Sequence, residues 1–225
     1  MAVSETLVFD VNETLLDLSA LDPHFERAFG DAGVRYEWFD QVIHSAMLSV
    51  ITDNYHDFGA VAKGALSAVA ARTGVALSDA DTGAILGQIR ALPPHPDVAE
   101  ALSLLQDAGV RLAALTNSAL NVAEAQLQNA GLAGYFERIL SADTVKRLKP
   151  APEPYQHAAA ELGVPIGQLR LVAAHGWDVA GALHAGARAA FVARPGKGLD
   201  PLSPQPDVIG EDVLAVAREL LARGG

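Results

Sequence analysis

Five short runs rich in Val, Leu, Ile and Ala punctuate the chain: TLVFDV (6–11), RLAALTN (111–117), RILSA (138–142), RLVAA (170–174) and ARAAFVA (187–193). None alternates apolar with polar residues, so each reads as a strand buried on both faces, the signature of a parallel sheet covered by helices. Helical patterns fall between them. In DVAEALSLLQDAG, Val98, Leu102 and Leu105 share a face, and Gly109 stands where a helix cap is expected. Another pattern starts after Ser118, with Leu120, Ala123 and Leu127 on one stripe. Strand and helix in alternation predict a doubly wound, Rossmann-like α/β core with a parallel sheet. The first strand breaks the alternation. Residues 18–92 show helical periodicity only, with Phe58, Val61, Ala62, Ala65, Leu66 and Val69 on one side of a helix. Two domains are expected: an α/β core of residues 1–17 and 93–225, and a helical cap inserted at 18–92, hinged at Asp17–Leu18 and Pro93–Pro96.

Composition excludes several classes of function. Half of the 225 residues are apolar, enough to bury a substantial core. Sixteen Lys and Arg stand against 27 Asp and Glu, and the net charge of −11 repels the phosphates of nucleic acid and of anionic lipid. Neither is an expected partner. The first residues, MAVSETLVFDV, lack the basic region and long apolar stretch of a secretory signal, and no apolar run is long enough to span a bilayer. A soluble, cytoplasmic protein is expected. With no cysteine there is no disulfide, thiolate nucleophile or Cys-ligated zinc. His44, His56, His95 and His157 are scattered without paired ligand spacing, and Arg194–Gly198 lacks the spacing of a phosphate loop and reads as a turn.

Polar residues at strand ends carry the chemistry. In an open α/β sheet ligands bind at the carboxyl ends of the strands. There Asp10 closes the first strand and Thr116 and Asn117 the second, Lys149 follows the third in a loop, and Asp178 follows the fourth. Asp after an apolar run is most simply a turn or helix cap. The sharper alternative is a nucleophile: a nearby ammonium holds a carboxylate ionised, and an ionised carboxylate in a dry pocket can attack carbon or phosphorus.

Asp10-Val11-Asn12-Glu13-Thr14, Leu115-Thr116-Asn117-Ser118, Lys149-Pro150 with Tyr155, and Ala174-His175-Gly176-Trp177-Asp178 resemble the four ordered motifs of the haloacid dehalogenase superfamily. More narrowly they resemble its L-2-haloacid dehalogenase (type II) branch, and the likeness spans essentially the whole chain. The resemblance implies hydrolytic dehalogenation of small 2-haloalkanoic acids, with Asp10 attacking C2, an aspartyl-ester intermediate, and inversion. It makes Asp10, Thr14, Lys149 and Asp178 catalytic: Thr14 orients the nucleophile, Lys149 counters its charge, and Asp178 orients Lys149 or the hydrolytic water. Thr116 and the amides after it would hold the substrate carboxylate, Asn117 would face the halide, and Tyr155 would brace the site. Val11, Asn12, Ser118, His175, Trp38 and Phe39 complete the expected substrate-binding set. The chemistry needs neither cofactor nor metal; the partner is a small carboxylate, and the family suggests a homodimer, with Met47, Leu48 and Ile51 as candidate contacts.

Several residues depart from these patterns. Where the dehalogenases place an arginine after a cap tryptophan to receive the halide, this chain reads Trp38-Phe39. Losing such a charge-assisted contact costs about 2–4 kcal/mol of barrier by analogy with an oxyanion donor; Arg27, Arg35 and Lys63 are the candidate replacements. Ala173 and His175 stand where the family often has serine and asparagine. Phosphatases of the superfamily need Mg2+ and a second aspartate two residues after the nucleophile, where this chain has Asn12, and an amide transfers no proton. Glu13 is expected to point elsewhere if strand geometry persists. A magnesium phosphatase and a non-catalytic relative retaining the fold remain as alternatives. Trp177 reads as a packing residue, whereas Tyr55 and Phe58 either line the pocket or fill the cap.

Overall fold

The computed structural model describes residues 6–224. The reading of the first residues as lacking a secretory signal falls partly on residues 1–5, outside the described residues.

The strands are β1 (Thr6–Phe9), β2 (Arg111–Thr116), β3 (Arg138–Ser141), β4 (Leu169–Ala173), β5 (Arg188–Val192) and β6 (Val208–Gly210). They form one sheet in the order β3-β2-β1-β4-β5-β6, with every neighbouring pair parallel. This is the predicted doubly wound architecture. The three-residue β6 was not among the predicted strands; it is short, lies at the edge and follows a Pro-rich loop. Between the strands run helices α1 (Asp22–Phe29), α2 (Val34–Ile51), α3 (Phe58–Thr73), α4 (Asp79–Gln88), α5 (Val98–Asp107), α6 (Leu120–Asn129), α7 (Pro152–Glu161), α8 (Gly176–His184) and α9 (Val213–Gly224). Among the described residues no helix is long and apolar enough to cross a membrane.

The continuous apolar strands follow from burial on both faces. Leu7 and Phe9 of β1 pack with Val98, Leu102 and Leu105 of α5 and with Val213, Val216 and Leu220 of α9. Val8, between them, faces the other way, into a second core with Tyr155 and Ala158 of α7 and Val179 and Ala182 of α8. Successive side chains thus feed opposite layers, as the two-residue strand repeat requires. On α6 the expected stripe is only partly right: Ala123 and Leu127 are buried, but Leu120 is 41% exposed. In its place Gln126 is fully buried.

Between β1 and α5 the chain makes α1 to α4 and no strand. All six apolar positions read on one side of α3 are buried. Asp57 caps this helix, accepting from the Ala60 N–H at 3.0 Å, and Gly74 ends it in the left-handed conformation at φ 72°. The two chain crossings that join this segment to the sheet lie side by side. Asp17 N–H donates to Pro93 O at 2.8 Å and His95 N–H to Leu15 O at 2.9 Å, so the predicted hinge is a pair of hydrogen-bonded segments.

Candidate active site

Asp10 is the first residue beyond β1, on the strand where the sheet order reverses. Its N–H still donates to Val172 O of β4 at 3.0 Å, which anchors the backbone while the side chain leaves the sheet. Strand geometry stops there. The N–H groups of Leu15 and Leu16 both return to Val11 O, and Glu13 adopts φ 62°, a left-handed conformation uncommon for a residue with a Cβ. The tight turn folds Thr14 back over Asp10. Thr14 Oγ1 donates to Asp10 Oδ2 at 2.8 Å and accepts from the Ala174 N–H at 2.9 Å, linking the ends of β1 and β4.

Lys149 closes the other side. Its ammonium donates to Asp10 Oδ1 at 2.8 Å, Asp178 Oδ2 at 2.6 Å and Leu115 O at 3.0 Å, which uses all three of its protons in a site only 1% exposed. A lysine in a loop is ordinarily a solvated surface residue, and this one is not. Asn117 holds the loop in place: its Oδ1 accepts from Lys149 N–H at 2.7 Å, and its Nδ2 donates to Lys149 O at 3.3 Å. Tyr155 donates to Asp178 Oδ1 at 2.5 Å. Burial works against the charge on Asp10, but the Lys149 ammonium and the His175 imidazole outweigh it, and the carboxyl is held far below its ordinary range. Burial also opposes the ammonium, yet the carboxylates of Asp10 and Asp178 raise Lys149 overall. Asp178 itself is pushed upward by burial, against the pull of Lys149. Of the two carboxylates, Asp10 carries the settled negative charge.

His175 bridges a second pair of carboxylates. Its Nδ1 lies 3.1 Å from Asp10 Oδ2 and its Nε2 2.9 Å from Glu13 Oε2. Phe39 of α2 and Trp177 both stack on the imidazole, at 5.6 Å and 5.1 Å between centroids. Burial would lower its pKa; the hydrogen bonds to Asp10 and Glu13 prevail and raise it to about 9. Glu13 is in turn held low, despite burial, by His175 and by Lys197, which donates to Glu13 Oε2 at 2.5 Å. The expectation that Glu13 points elsewhere is overturned, because the left-handed turn replaces the strand geometry on which it rested. The loop after β5 also turns at Gly196 as expected, but it is more than surface. Arg194 is buried against Thr14 O and Asp97, and Lys197 enters the site.

Asp10, Asn12, Thr116, Asn117, Lys149, His175, Trp177, Phe39, Ile43 and Phe58 enclose a cavity of about 10 Å3, room for one water molecule. Beside it, sharing Asn12, Phe39 and Phe58, lies a larger cavity of about 190 Å3 between the helical segment and the start of α6. Ser118 and Trp38 line the larger space but not the smaller, and Trp38 Nε1 donates to Ala62 O. Val11 is fully buried and borders neither. Thr116 Oγ1 accepts from the Ser118 N–H at 3.1 Å, so that amide is already engaged. The Asn117 amide faces the Lys149 backbone instead of standing free for a halide. Asn12 joins the helical segment to the core through Gln126, whose Nε2 donates to Asn12 Oδ1 at 2.9 Å and Ile89 O at 3.0 Å. Trp177 lines the site, contrary to its reading as packing alone. Phe58 lines it too, whereas Tyr55 bonds to Asp143.

No candidate for the absent arginine reaches Asp10. Arg27 pairs with Asp81, Arg35 with Asp22 and, at 3.8 Å, Glu13, and none of Arg27, Arg35 and Lys63 lines the small cavity. Sequence reasoning missed Gln126 and Lys197. The first sits in a polar stretch of α6 and the second in a Pro/Gly-rich loop, so neither carried a local signal.

Comparison with known proteins points to a single family. The family model of haloacid dehalogenase-like hydrolases matches residues 5–186. An (S)-2-haloacid dehalogenase of Xanthobacter autotrophicus is 30% identical over 192 residues, covering 84% of this chain and 75% of that one. A haloacetate dehalogenase of Moraxella sp. is 26% identical over 205 residues, covering 90% and 92%. The solved structure of the L-2-haloacid dehalogenase of Xanthobacter autotrophicus with chloropropionic acid covalently bound superposes with a TM-score of 0.89 at 25% identity, over 98% of both chains.

Proposed function

The chain belongs to the haloacid dehalogenase-like hydrolases, in their 2-haloacid dehalogenase branch, and from that premise we propose that it hydrolyses the carbon–halide bond of small 2-haloalkanoic acids through an ester on Asp10. One observation carries the reading: Asp10 is an anion in a nearly sealed site, held by Lys149 and His175. Oδ2 accepts from Thr14 and faces His175, whereas Oδ1 meets Lys149 alone among the described residues and keeps a lone pair for attack. Desolvated by its apolar roof, this oxygen attacks C2 from the side opposite the halogen. Halide leaves, and C2 inverts. Water then opens the ester at the Asp10 carbonyl carbon, releasing the 2-hydroxy acid and restoring the carboxylate.

A cavity of about 10 Å3 is too small for the substrate. We assign residues 18–92 as a cap that must shift at Phe39 and Phe58 to admit it, with the neighbouring 190 Å3 cavity as the approach.

The donor set does not fit a magnesium ion. Asp10 and Asp178 both close on Lys149, and Asn12, bonded to Gln126 and Ser118, offers no carboxylate.

The test is chloride release from L-2-chloropropionate in the presence of a chelator, beside an Asp10→Asn variant. Release by the wild type and none by the variant is the expected result. Magnesium-dependent phosphate release from a phosphoester, with no chloride, would overturn the reading.

A further inference from the structure

We propose that His175 is the general base of ester hydrolysis and Glu13 its orienting carboxylate, so that Asp10, His175 and Glu13 act as a nucleophile–imidazole–acid triad within this sheet. The inference rests on the dehalogenase reading and deepens it by naming the group that activates water.

Elimination and geometry converge on His175. Three titratable side chains line the small cavity: Asp10, Lys149 and His175. Asp10 becomes the ester. Lys149 has every proton committed and is held as ammonium. Asp178 is fully buried with one oxygen on Lys149 and the other on Tyr155, and it does not border the cavity. His175 remains, with Nδ1 facing Asp10 and Nε2 on Glu13 Oε2. A base within hydrogen-bond reach of the nucleophile, itself oriented by a third group, is the arrangement of a hydrolytic triad.

The charges also set the order of events. In the resting site His175 lies between two carboxylates and holds a proton on each nitrogen, which protects the carboxylate of Asp10 without competing for carbon. Alkylation removes the Asp10 charge. Glu13, which remains, is already countered by Lys197 and approached by Arg35. The Nδ1 proton is then released to solvent, while Nε2–H stays on Glu13 and fixes the tautomer. Neutral Nδ1 takes a proton from water as its oxygen bonds to Asp10 Cγ. The tetrahedral intermediate expels the hydroxy-acid oxygen, which receives that proton from His175, and the carboxylic acid formed gives its own proton back to Nδ1. One water is consumed, and one halide, one hydroxy acid and one proton leave.

The experiment follows chloride and 2-hydroxy acid from L-2-chloropropionate in rapid-quench mode, with the mass of the Asp10 peptide, for wild type, His175→Gln and Glu13→Gln. In His175→Gln one chloride per site is expected in a burst, followed by hydroxy-acid release slowed about 10²–10⁴-fold and an accumulated Asp10 ester. In Glu13→Gln the chloride burst persists. The acid limb of hydroxy-acid release moves to lower pH, because the imidazole loses the anion that holds its proton, while Lys197 and Arg35, which pair with that anion, and Lys149, which pairs with Asp10 and Asp178, keep their charge. A purely structural role for Glu13 lowers the rate without moving that limb. Equal chloride and hydroxy-acid rates in His175→Gln, loss of its burst while the wild type reacts, or an unmoved limb in Glu13→Gln each overturn the assignment. No chloride and no ester from the wild type itself overturns the dehalogenase reading and this proposal with it.

Discussion

Lys149 Nζ stands 2.8 Å from Asp10 Oδ1, joining residues 139 positions apart in a site where both side chains are almost fully buried. Replacing that ammonium leaves Asp178 without a counter-ion and Asp10 with His175 alone. A Lys149→Met variant keeps an unbranched stem one atom shorter and loses the charge together with the hydrogen bonds to Asp10, Leu115 O and Asp178. Breaking a buried pair in this way costs about 3–5 kcal/mol of stability, and the Asp10 carboxyl rises from its depressed range because it loses the larger of its two cationic neighbours. Denaturant unfolding is expected to show that loss, and chloride release a fall of about 10²–10³-fold. Wild-type rates in the variant would mean that another group keeps the nucleophile charged.

Thr14 offers a finer test of how the nucleophile is aimed. Its hydroxyl is the only side-chain link between Asp10 Oδ2 and the Ala174 N–H among the described residues. Thr14→Val preserves volume but removes both bonds, leaving a buried N–H unsatisfied. The expected loss of stability is about 1–3 kcal/mol. Thr14→Ser, which retains the hydroxyl, should recover most of both stability and halide release.

Much of this arrangement was legible because two physical rules leave plain marks on a sequence. Strands buried on both faces lose their polar alternation, which is why β1 through β5 stood out, and a parallel sheet collects its strand ends on one edge, which brought Asp10, Thr116, Lys149 and Asp178 together. Glu13 escaped because a left-handed residue redirects its side chain, and glutamate does not announce that conformation as glycine or asparagine does. Lys197 and Gln126 escaped for a related reason: each reaches its partner across 184 and 114 residues, respectively, from a segment that reads as solvated. The strand β6 is too short to show a pattern.

The proton on His175 links stability to pH in a definite direction. Folding raises this group from its ordinary 6.5 to about 9, so the folded state binds the proton more tightly than the unfolded chain. The stabilisation is therefore complete below pH 6.5 and disappears as pH climbs through about 9. A shift of this size corresponds to on the order of 3 kcal/mol. Urea unfolding at intervals from pH 6 to 9.5 should show the decline in the wild type and lose most of it in His175→Gln. An equal decline in both would assign the dependence to other groups.

Gly181 tests whether the site depends on how closely α8 approaches its neighbours. A Cβ built there would lie 2.6 Å from Pro150 Cβ, 2.7 Å from Pro150 O and 2.7 Å from Tyr155 Oη. Two of these contacts involve the residue after Lys149, and the third is the hydroxyl that holds Asp178. Gly181→Ala must therefore push α8 away from α7 and from the Lys149 loop, loosening Tyr155 from Asp178 and Asp178 from Lys149. Overpacking of this kind costs about 1–3 kcal/mol. Chloride release should fall with it, because the ammonium that charges Asp10 loses its second anchor. Gly83 of α4 supplies the control: nothing lies within 4 Å of its would-be Cβ. There the same substitution relieves the helix of glycine and should stabilise the protein by about 0.5–1 kcal/mol, with halide release unchanged. If both variants melt and react alike, close packing at Gly181 has no part in holding Lys149 against Asp10.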